Sequence, residues 1–156
     1  HSNRLPEKDN LQLIYKSLLA EHKSLSVMLI SVDEFSDIVD AHGRNAGDDI
    51  LDKIVAYLAE QMREQDVLGR WSSAEFIILL PHTGPHVAFD MAHNLRHGIA
   101  TLPPLQELPD VVITASIGIS YTASPRAMHE VTAHAEDALY QAKRDGSNLV
   151  RMQLID

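Results

Sequence analysis

Two short spacings in the sequence bring together side chains that could bind a ligand. Arg63 and Asp66 lie three residues apart. A guanidinium can chelate a phosphate or stack on a planar base, and a carboxylate can accept hydrogen bonds from N–H groups. His93 and His97 lie four apart, which places two metal-ligating side chains on one side of a helix. No third ligand accompanies the histidines, so we expect them to face solvent. For Arg63 and Asp66 the alternative to ligand binding is a solvent-exposed helix end without a function.

Composition limits the function classes. The 156 residues fit one globular domain, and 45% hydrophobic residues suffice for a sizeable core. The net charge of -9 opposes general binding to DNA or to an anionic membrane. The absence of cysteine excludes disulfides and thiolate-bound metals. No apolar run is long enough to insert into a membrane. Residues 1–4 resemble neither a signal peptide nor a natural start. We therefore expect residues 1–156 to be a single domain excised from a longer multidomain protein, and we expect that protein to be cytoplasmic.

An α/β fold must position these side chains. Apolar residues recur at helical spacing in five segments, and five short apolar runs predict strands. The predicted helices are 10–22, about 35–39, about 48–62, 85–99 and 128–145, and the predicted strands are 27–30, 67–70, 76–80, 111–121 and 149–154. This order predicts an α+β sandwich in which helices flank a mixed central β-sheet, with a β-hairpin around 71–75. Pro85 is expected to begin one helix and Gly146 to cap the last.

Five motifs resemble those of one family, the GGDEF domains of bacterial diguanylate cyclases, whose core is similar to that of adenylyl cyclases and the polymerase palm. They are Asn3-Arg4 (the end of LTxLxNR), residues 32–35 (DxDxF), residues 43–48 (GHxxGD, with Arg44 for His), residues 116–119 (SxGxA) and residues 137–148 (ADxALYxAKxxGRN). The last match is the longest and most specific. The resemblance implies a nucleotidyl-cyclase-like fold whose hairpin carries the family signature.

The signature that names the family is altered in this chain. Its five positions hold Ser72, Ser73, Ala74, Glu75 and Phe76. The family's enzymes join two GTP molecules into cyclic di-GMP, and the resemblance implies that Mg²⁺ is held by the first acid of DxDxF and the third signature residue. Those positions are Ser31 and Ala74, which lack carboxylate oxygens, so we expect no metal cofactor unless residual cyclase activity uses Mg²⁺. Ser72 and Ser73 replace glycines and would cost about 1 kcal/mol each if the hairpin required positive φ.

Two remaining acids are weak candidates for a displaced metal. Asp33 lies two residues from Ser31 and projects from the same strand face, and Glu75 is adjacent to Ala74. The alternatives are a solvated acid at Asp33 and an ordinary hairpin residue at Glu75. Because a shift of about 1 Å harms metal catalysis, a relocated carboxylate is expected to permit weak metal binding rather than turnover.

The resemblance also implies losses around the nucleotide. Val39 replaces the guanine-reading Asn, and Ser36 replaces the Lys of FKxxN. Ser147 replaces the Arg that accompanies the phosphate-contacting Lys, which is retained as Lys143. Asp48 is retained as a residual guanine contact. We therefore expect no intact catalytic site.

The Arg63–Asp66 pair has the placement of the family's RxxD inhibitory site, with five residues between Asp66 and Ser72. The resemblance implies that this site binds cyclic di-GMP away from the catalytic pocket, with Arg63 on guanine and phosphate and Asp66 accepting from guanine N–H groups. The alternative is a structural relic that binds no ligand. Arg96 on the following helix could add a basic contact. Trp71 is expected to pack rather than to stack on a base.

Three functional hypotheses follow. The favoured one is a degenerate GGDEF domain that acts as a regulatory or cyclic di-GMP-binding module in bacterial second-messenger signalling, with a sensor domain, an EAL-type domain or another protein as partner. The second is a weak diguanylate cyclase that binds GTP and uses Asp33 and Glu75 as substitute metal ligands. The third is a dimerisation or docking domain, such as a homodimer, that binds no nucleotide.

Overall fold

The computed structural model describes residues 5–21 and 24–156. Within them the helices are α1 (Lys8–Glu21), α2 (Phe35–His42), α3 (Arg44–Gln61), α4 (Pro85–Ala100) and α5 (Met128–Arg144). The strands are β1 (Leu25–Val32), β2 (Val67–Ser72), β3 (Glu75–Pro81), β4 (Ala115–Thr122) and β5 (Val150–Leu154). The order of these elements is the predicted one. The motif residues Asn3-Arg4 and the predicted end of the first helix at His22 lie outside the described residues.

The five strands form one mixed sheet in the order β2-β3-β1-β4-β5. β1 is central and pairs antiparallel with β3 and β4, β2 pairs antiparallel with β3, and β5 runs parallel to β4. Every residue of β1 is buried, which explains the continuous apolar run at 27–30 within it. The predicted mixed sheet flanked by helices is confirmed.

Helices cover both faces of the sheet. Successive side chains of β1 point to opposite faces, so Met28 and Ile30 enter one core and Val27 and Leu29 the other. The first core is closed by α3 and α4, through Ile50, Ile54, Leu58, Ala88, Ala92 and Leu95. The second is closed by α1 and α5, through Leu11, Tyr15, Val131, Ala135 and Leu139.

The boundaries differ most from the prediction at β4 and α3. β4 begins at Ala115, so the predicted strand over 111–114 was wrong, and Val112 in that stretch is 72% exposed. α3 begins at Arg44, directly after Gly43 at φ 94°, about one turn earlier than the start predicted near Asp48. Pro85 does begin α4, and Gly146 follows α5 at φ 124°.

Candidate functional site

The altered signature forms the turn between β2 and β3. The Arg70 guanidinium donates to the carbonyl oxygens of Ser72 and Ser73 at 2.8 and 2.6 Å, and the Ser72 hydroxyl donates to Glu75 Oε1 at 2.8 Å. Among the described non-glycine residues the positive φ angles belong to Glu34, His82, Ser147 and Asn148. The hairpin therefore holds its turn without the conformation that favours glycine, and the expected φ penalty at Ser72 and Ser73 does not arise.

The two positions that the resemblance assigns to metal lie beside this turn. Ser31 is 4% exposed and pairs across the sheet with Glu75 on one side and Ser116 on the other. The carbonyl oxygen of Ala74 accepts from the backbone N–H of Val32 at 3.1 Å. These positions thus present a hydroxyl and a methyl, with one carboxylate, Glu75, next to them.

Glu75 is paired with a cation that the chain itself supplies. The Lys143 ammonium lies 3.8 Å from Glu75 Oε2, and the other carboxylate oxygen accepts from the Ser72 hydroxyl. Both side chains are partly exposed, at 43% for Lys143 and 27% for Glu75, so solvent screens this ion pair. A cation bound at Glu75 would have to compete with this ammonium.

Asp33 is a structural hydrogen-bond acceptor. It is 9% exposed, and Oδ1 accepts from the Ser116 hydroxyl at 2.7 Å. Its Oδ2 accepts from the Thr114 hydroxyl at 2.6 Å and from the backbone N–H of Asn148 at 3.0 Å. The alternative of a solvated acid was wrong, because the fold brings three donors onto a buried carboxylate.

This donor set does not fit Mg²⁺. The ion requires near-octahedral oxygen ligands, of which the protein normally supplies one or two carboxylates. Asp33 is engaged on both oxygens and Glu75 faces an ammonium, while Ser31 and Ala74 add no charge. Residues 5–21 and 24–156 contain no cluster of three or more Asp, Glu or His side chains that could hold a metal ion.

Asp48 lines a cleft between α1 and α3. The cleft has a volume of about 1020 Å³, and its walls combine apolar side chains such as Leu13, Ile14 and Leu51 with the Arg70 side chain. A Cβ atom added at Gly47 would lie 2.7 Å from Val39 Cγ2, so Val39 packs against the backbone next to Asp48. The side chain that replaces the guanine-reading Asn is thus an apolar packing residue.

Arg63 and Asp66 form a bidentate ion pair between α3 and β2. The Arg63 Nε and Nη2 atoms donate to the carboxylate at 2.8 to 3.1 Å, and the Arg63 backbone N–H donates to Oδ2 at 2.9 Å. The Asp66 side chain is 0% exposed and the Arg63 side chain 35%. The alternative of a solvated helix end was wrong, since the carboxylate is sealed beneath the guanidinium.

This geometry divides the pair into a buried member and an accessible one. Both Asp66 oxygens are taken by Arg63, whereas no described residue accepts from Arg63 Nη1. In this arrangement a ligand can reach the exposed part of the Arg63 side chain, but not the Asp66 carboxylate.

The site at Arg63 and the altered signature lie at opposite ends of β1. Arg63 Nη2 donates to the hydroxyl of Thr83, whose carbonyl accepts from Ser26 near the start of β1. Ser31, near the end of β1, pairs with Glu75. Because a strand rises about 3.3 Å per residue, Ser26 and Ser31 are about 17 Å apart along β1.

The sequence matches the family model for "Diguanylate cyclase, GGDEF domain" over residues 2–149. The chain belongs to the GGDEF family. Diguanylate cyclase DgcM of Escherichia coli K12 is 34% identical over 132 residues, which are 85% of this chain and 32% of that protein. This GGDEF domain therefore spans about a third of the length of that relative.

Solved structures confirm the fold. The active GGEEF domain of a diguanylate cyclase from Vibrio cholerae has a TM-score of 0.87 at 25% identity, over 96% of this chain and 97% of that one. The GGDEF domain of DgcB from Caulobacter crescentus, solved in complex with c-di-GMP, has a TM-score of 0.88 at 19% identity, over 97% of this chain and 98% of that one. This GGDEF domain thus has the fold of a family that acts in cyclic di-GMP signalling.

Arg96, the predicted additional contact of this GGDEF domain, has a structural role. Arg96 donates to the Asn148 side chain at 2.8 Å, in the network around Asp33, and so lies at the far end of β1 from Arg63. The expected additional contact from Arg96 was wrong for this reason.

Among the described residues no helix is both long and apolar enough to cross a membrane.

His93 and His97 face solvent, as expected, and Trp71 is a packing residue, as expected. His93 and His97 are exposed on α4, and the His93 ring stacks on Phe89 with centroids 6.0 Å apart. Trp71 packs against the second core, and its indole N–H donates to Glu136 at 3.1 Å. Sequence patterns did not point to Thr83 or Thr114, because isolated polar residues in loops carry no periodic signal.

Proposed function

We propose that this GGDEF domain is a regulatory module that binds cyclic di-GMP through Arg63 and does not synthesise it. The observation that carries the proposal is the Arg63 guanidinium, which the fully buried Asp66 side chain holds through Nε and Nη2 while 35% of the Arg63 side chain stays exposed. A planar guanidinium can pair with two acceptors of a guanine or a phosphate and can stack on a base.

The chemistry of the altered signature supports a non-catalytic role. Joining two GTP molecules requires a divalent cation to neutralise charge on the triphosphate. Ser31 and Ala74 contribute no anionic ligand, and both acids proposed as substitutes are already engaged. Asp48 and Lys143 retain the residue types of two nucleotide contacts, which is compatible with weak GTP binding without turnover.

The net charge of the domain makes a local cation necessary. A chain with a charge of -9 repels a dianionic dinucleotide at long range, so affinity has to come from contacts made at short distance. In the whole protein, the occupied site is proposed to signal to a neighbouring sensor or EAL-type domain, to a protein partner, or across a homodimer. The bacterial cytoplasm is the proposed location.

Calorimetric titration of the purified domain with cyclic di-GMP tests the proposal. We expect saturable heat for the parent protein and an affinity about 10- to 100-fold lower for Arg63→Lys, which keeps the charge opposite Asp66 but loses the planar fork. Arg63→Ala would leave a buried carboxylate without its partner and is expected to unfold more easily, so it serves only as a second variant. Arg144→Ala, at the exposed end of α5, is the matched control and should bind like the parent.

The competing hypotheses give different results in the same series. No heat for the parent protein would remove the ligand-binding role and leave a docking domain, whose oligomeric state light scattering would show. Incubation with GTP and Mg²⁺ or Mn²⁺ is expected to give no cyclic di-GMP by chromatography. Product from the parent that disappears in Glu75→Ala would establish a weak cyclase instead.

A further inference from the structure

Thr83 is the second buried group that holds Arg63. It follows β3, is 2% exposed, and its hydroxyl oxygen lies 2.7 Å from Arg63 Nη2. The same hydroxyl donates to the carbonyl oxygen of Pro81 at 2.9 Å. A hydroxyl has one hydrogen, so with that hydrogen on Pro81 the Thr83 oxygen is left to accept from Arg63.

The backbone of Thr83 is itself fixed. Its carbonyl oxygen accepts from the hydroxyl of Ser26, which is fully buried in the central strand β1, at 2.8 Å. The preceding residue, His82, has φ 56° and donates its backbone N–H to Ser24 at 3.1 Å. The turn that carries Thr83 is thus bonded to the strand in the middle of the sheet.

Two buried acceptors on different parts of the chain therefore define the plane of one guanidinium. Asp66, before β2, takes Nε and one hydrogen of Nη2, and Thr83, after β3, takes the other hydrogen of Nη2. Rotation about the side-chain torsions of Arg63 would break one of these contacts or both. The hydrogens of Nη1 are left for a ligand.

We propose that Thr83 is a positioning residue of the nucleotide site, which fixes the Arg63 guanidinium before the ligand arrives. The inference rests on the proposed function, because it assumes that cyclic di-GMP is bound at Arg63. Ordering a long side chain on binding weakens affinity, and a side chain that is already ordered avoids that loss. Removing the Thr83 acceptor is therefore expected to lower the affinity for cyclic di-GMP by about 3- to 10-fold.

The test compares Thr83→Val, which removes the hydroxyl at nearly constant shape, with Thr83→Ser, which retains it. Thr132→Val is the matched control, since Thr132 is a buried threonine of α5 whose hydroxyl donates to the carbonyl oxygens of Met128 and His129 in its own helix. We expect weaker cyclic di-GMP binding by calorimetry for Thr83→Val alone. Thr83→Ser should restore the parent affinity to within about twofold, because the hydroxyl supplies the contact.

A second readout needs no ligand. ¹⁵N relaxation of the Arg63 Nε–H group in the free domain should show greater mobility in Thr83→Val than in the parent, Thr83→Ser and Thr132→Val proteins. A merely structural role would lower the unfolding midpoint of Thr83→Val without changing Arg63 mobility or affinity.

The outcomes separate the two proposals. If the parent binds cyclic di-GMP and Thr83→Val binds it equally well, the role of Thr83 is overturned while the proposed function stands. If the parent does not bind, the proposed function is overturned and the inference goes with it. Weakened binding with a mobile Arg63, both restored by serine, supports the inference.

Discussion

Asp33 lies at the end of the central strand and connects four parts of the chain. Its carboxylate accepts from Thr114 before β4, from Ser116 within β4 and from Asn148 in the turn between α5 and β5. Asn148 has φ 54°, a conformation that asparagine tolerates better than most residues, and its side chain accepts from Arg96 of α4. At the residue scale this acid therefore stabilises the fold, although its motif suggested chemistry.

Asp33→Asn should destabilise the domain. The amide would turn an N–H₂ group toward hydroxyl and N–H donors, and the loss of hydrogen bonds to a charged acceptor typically costs about 1.5 to 3 kcal/mol. Urea denaturation should show this decrease in the free energy of unfolding. Asp37→Asn, on the exposed side of α2, is the control and should change stability by about 0.5 kcal/mol or less. Unchanged stability of Asp33→Asn would contradict the structural role and return Asp33 to the list of metal-ligand candidates.

At the scale of elements, the packing of α5 on the sheet depends on Gly118. A Cβ atom at this position of β4 would lie 2.3 Å from the Ala135 carbonyl oxygen and 2.3 Å from the Leu139 nitrogen. Both are backbone atoms of α5, so no side-chain rotation could relieve the overlap. The glycine of the SxGxA motif thus allows the last helix to rest directly on a strand.

Gly118→Ala is expected to displace α5 and to lower stability by about 3 kcal/mol, at the upper end for overpacked cores. For a domain of this size the melting temperature should fall by roughly 6 to 12 °C. Gly84→Ala is the control, because a Cβ atom there meets nothing within 4 Å and its φ is -80°. If Gly118→Ala had the same melting temperature as Gly84→Ala, the helix would not pack this closely on the strand.

At the scale of the whole molecule, a polar cluster joins α1 to the segment between β4 and α5. The Tyr15 hydroxyl of α1 donates to the Arg126 carbonyl oxygen at 2.8 Å, while the Arg126 guanidinium pairs with Glu130 and Asp156. Tyr15 is 1% exposed within the second core. Burial, and to a lesser extent the nearby Glu130 carboxylate, raises the pKa of Tyr15 to about 12.

The raised pKa of Tyr15 predicts alkaline destabilisation. The unfolded chain ionises its tyrosines near the ordinary value of about 10, before the folded state ionises Tyr15, so stability is complete below that pH and falls as the pH rises toward about 12. Urea unfolding across this range should show a steeper loss for the parent than for Tyr15→Phe. Ultraviolet titration of the folded domain should show one late-ionising tyrosine fewer in the variant. If the free energy of unfolding of the parent and of Tyr15→Phe fell equally with pH, burial would not hold Tyr15 neutral.

Local sequence properties determined much of this protein. The order of helices and strands followed from hydrophobic periodicity and turn residues, which depend on neighbours along the chain. The family followed from residues 137–148 and the shorter motifs. The lack of carboxylates at Ser31 and Ala74 needed no structure, because the identity of a side chain decides what it can donate to a metal.

Only the tertiary structure decided what the retained polar residues do. Asp33 is held by Thr114 and Asn148, which are 81 and 115 residues away, and Arg63 by Thr83, which is 20 residues away. Three further features also became known only from the tertiary structure. They are the burial of the Asp66 side chain, the turn at Ser72 and Ser73 without positive φ, and the placement of Arg96 away from Arg63. Hydrogen bonding and burial depend on which distant segments meet, and no local pattern specifies that.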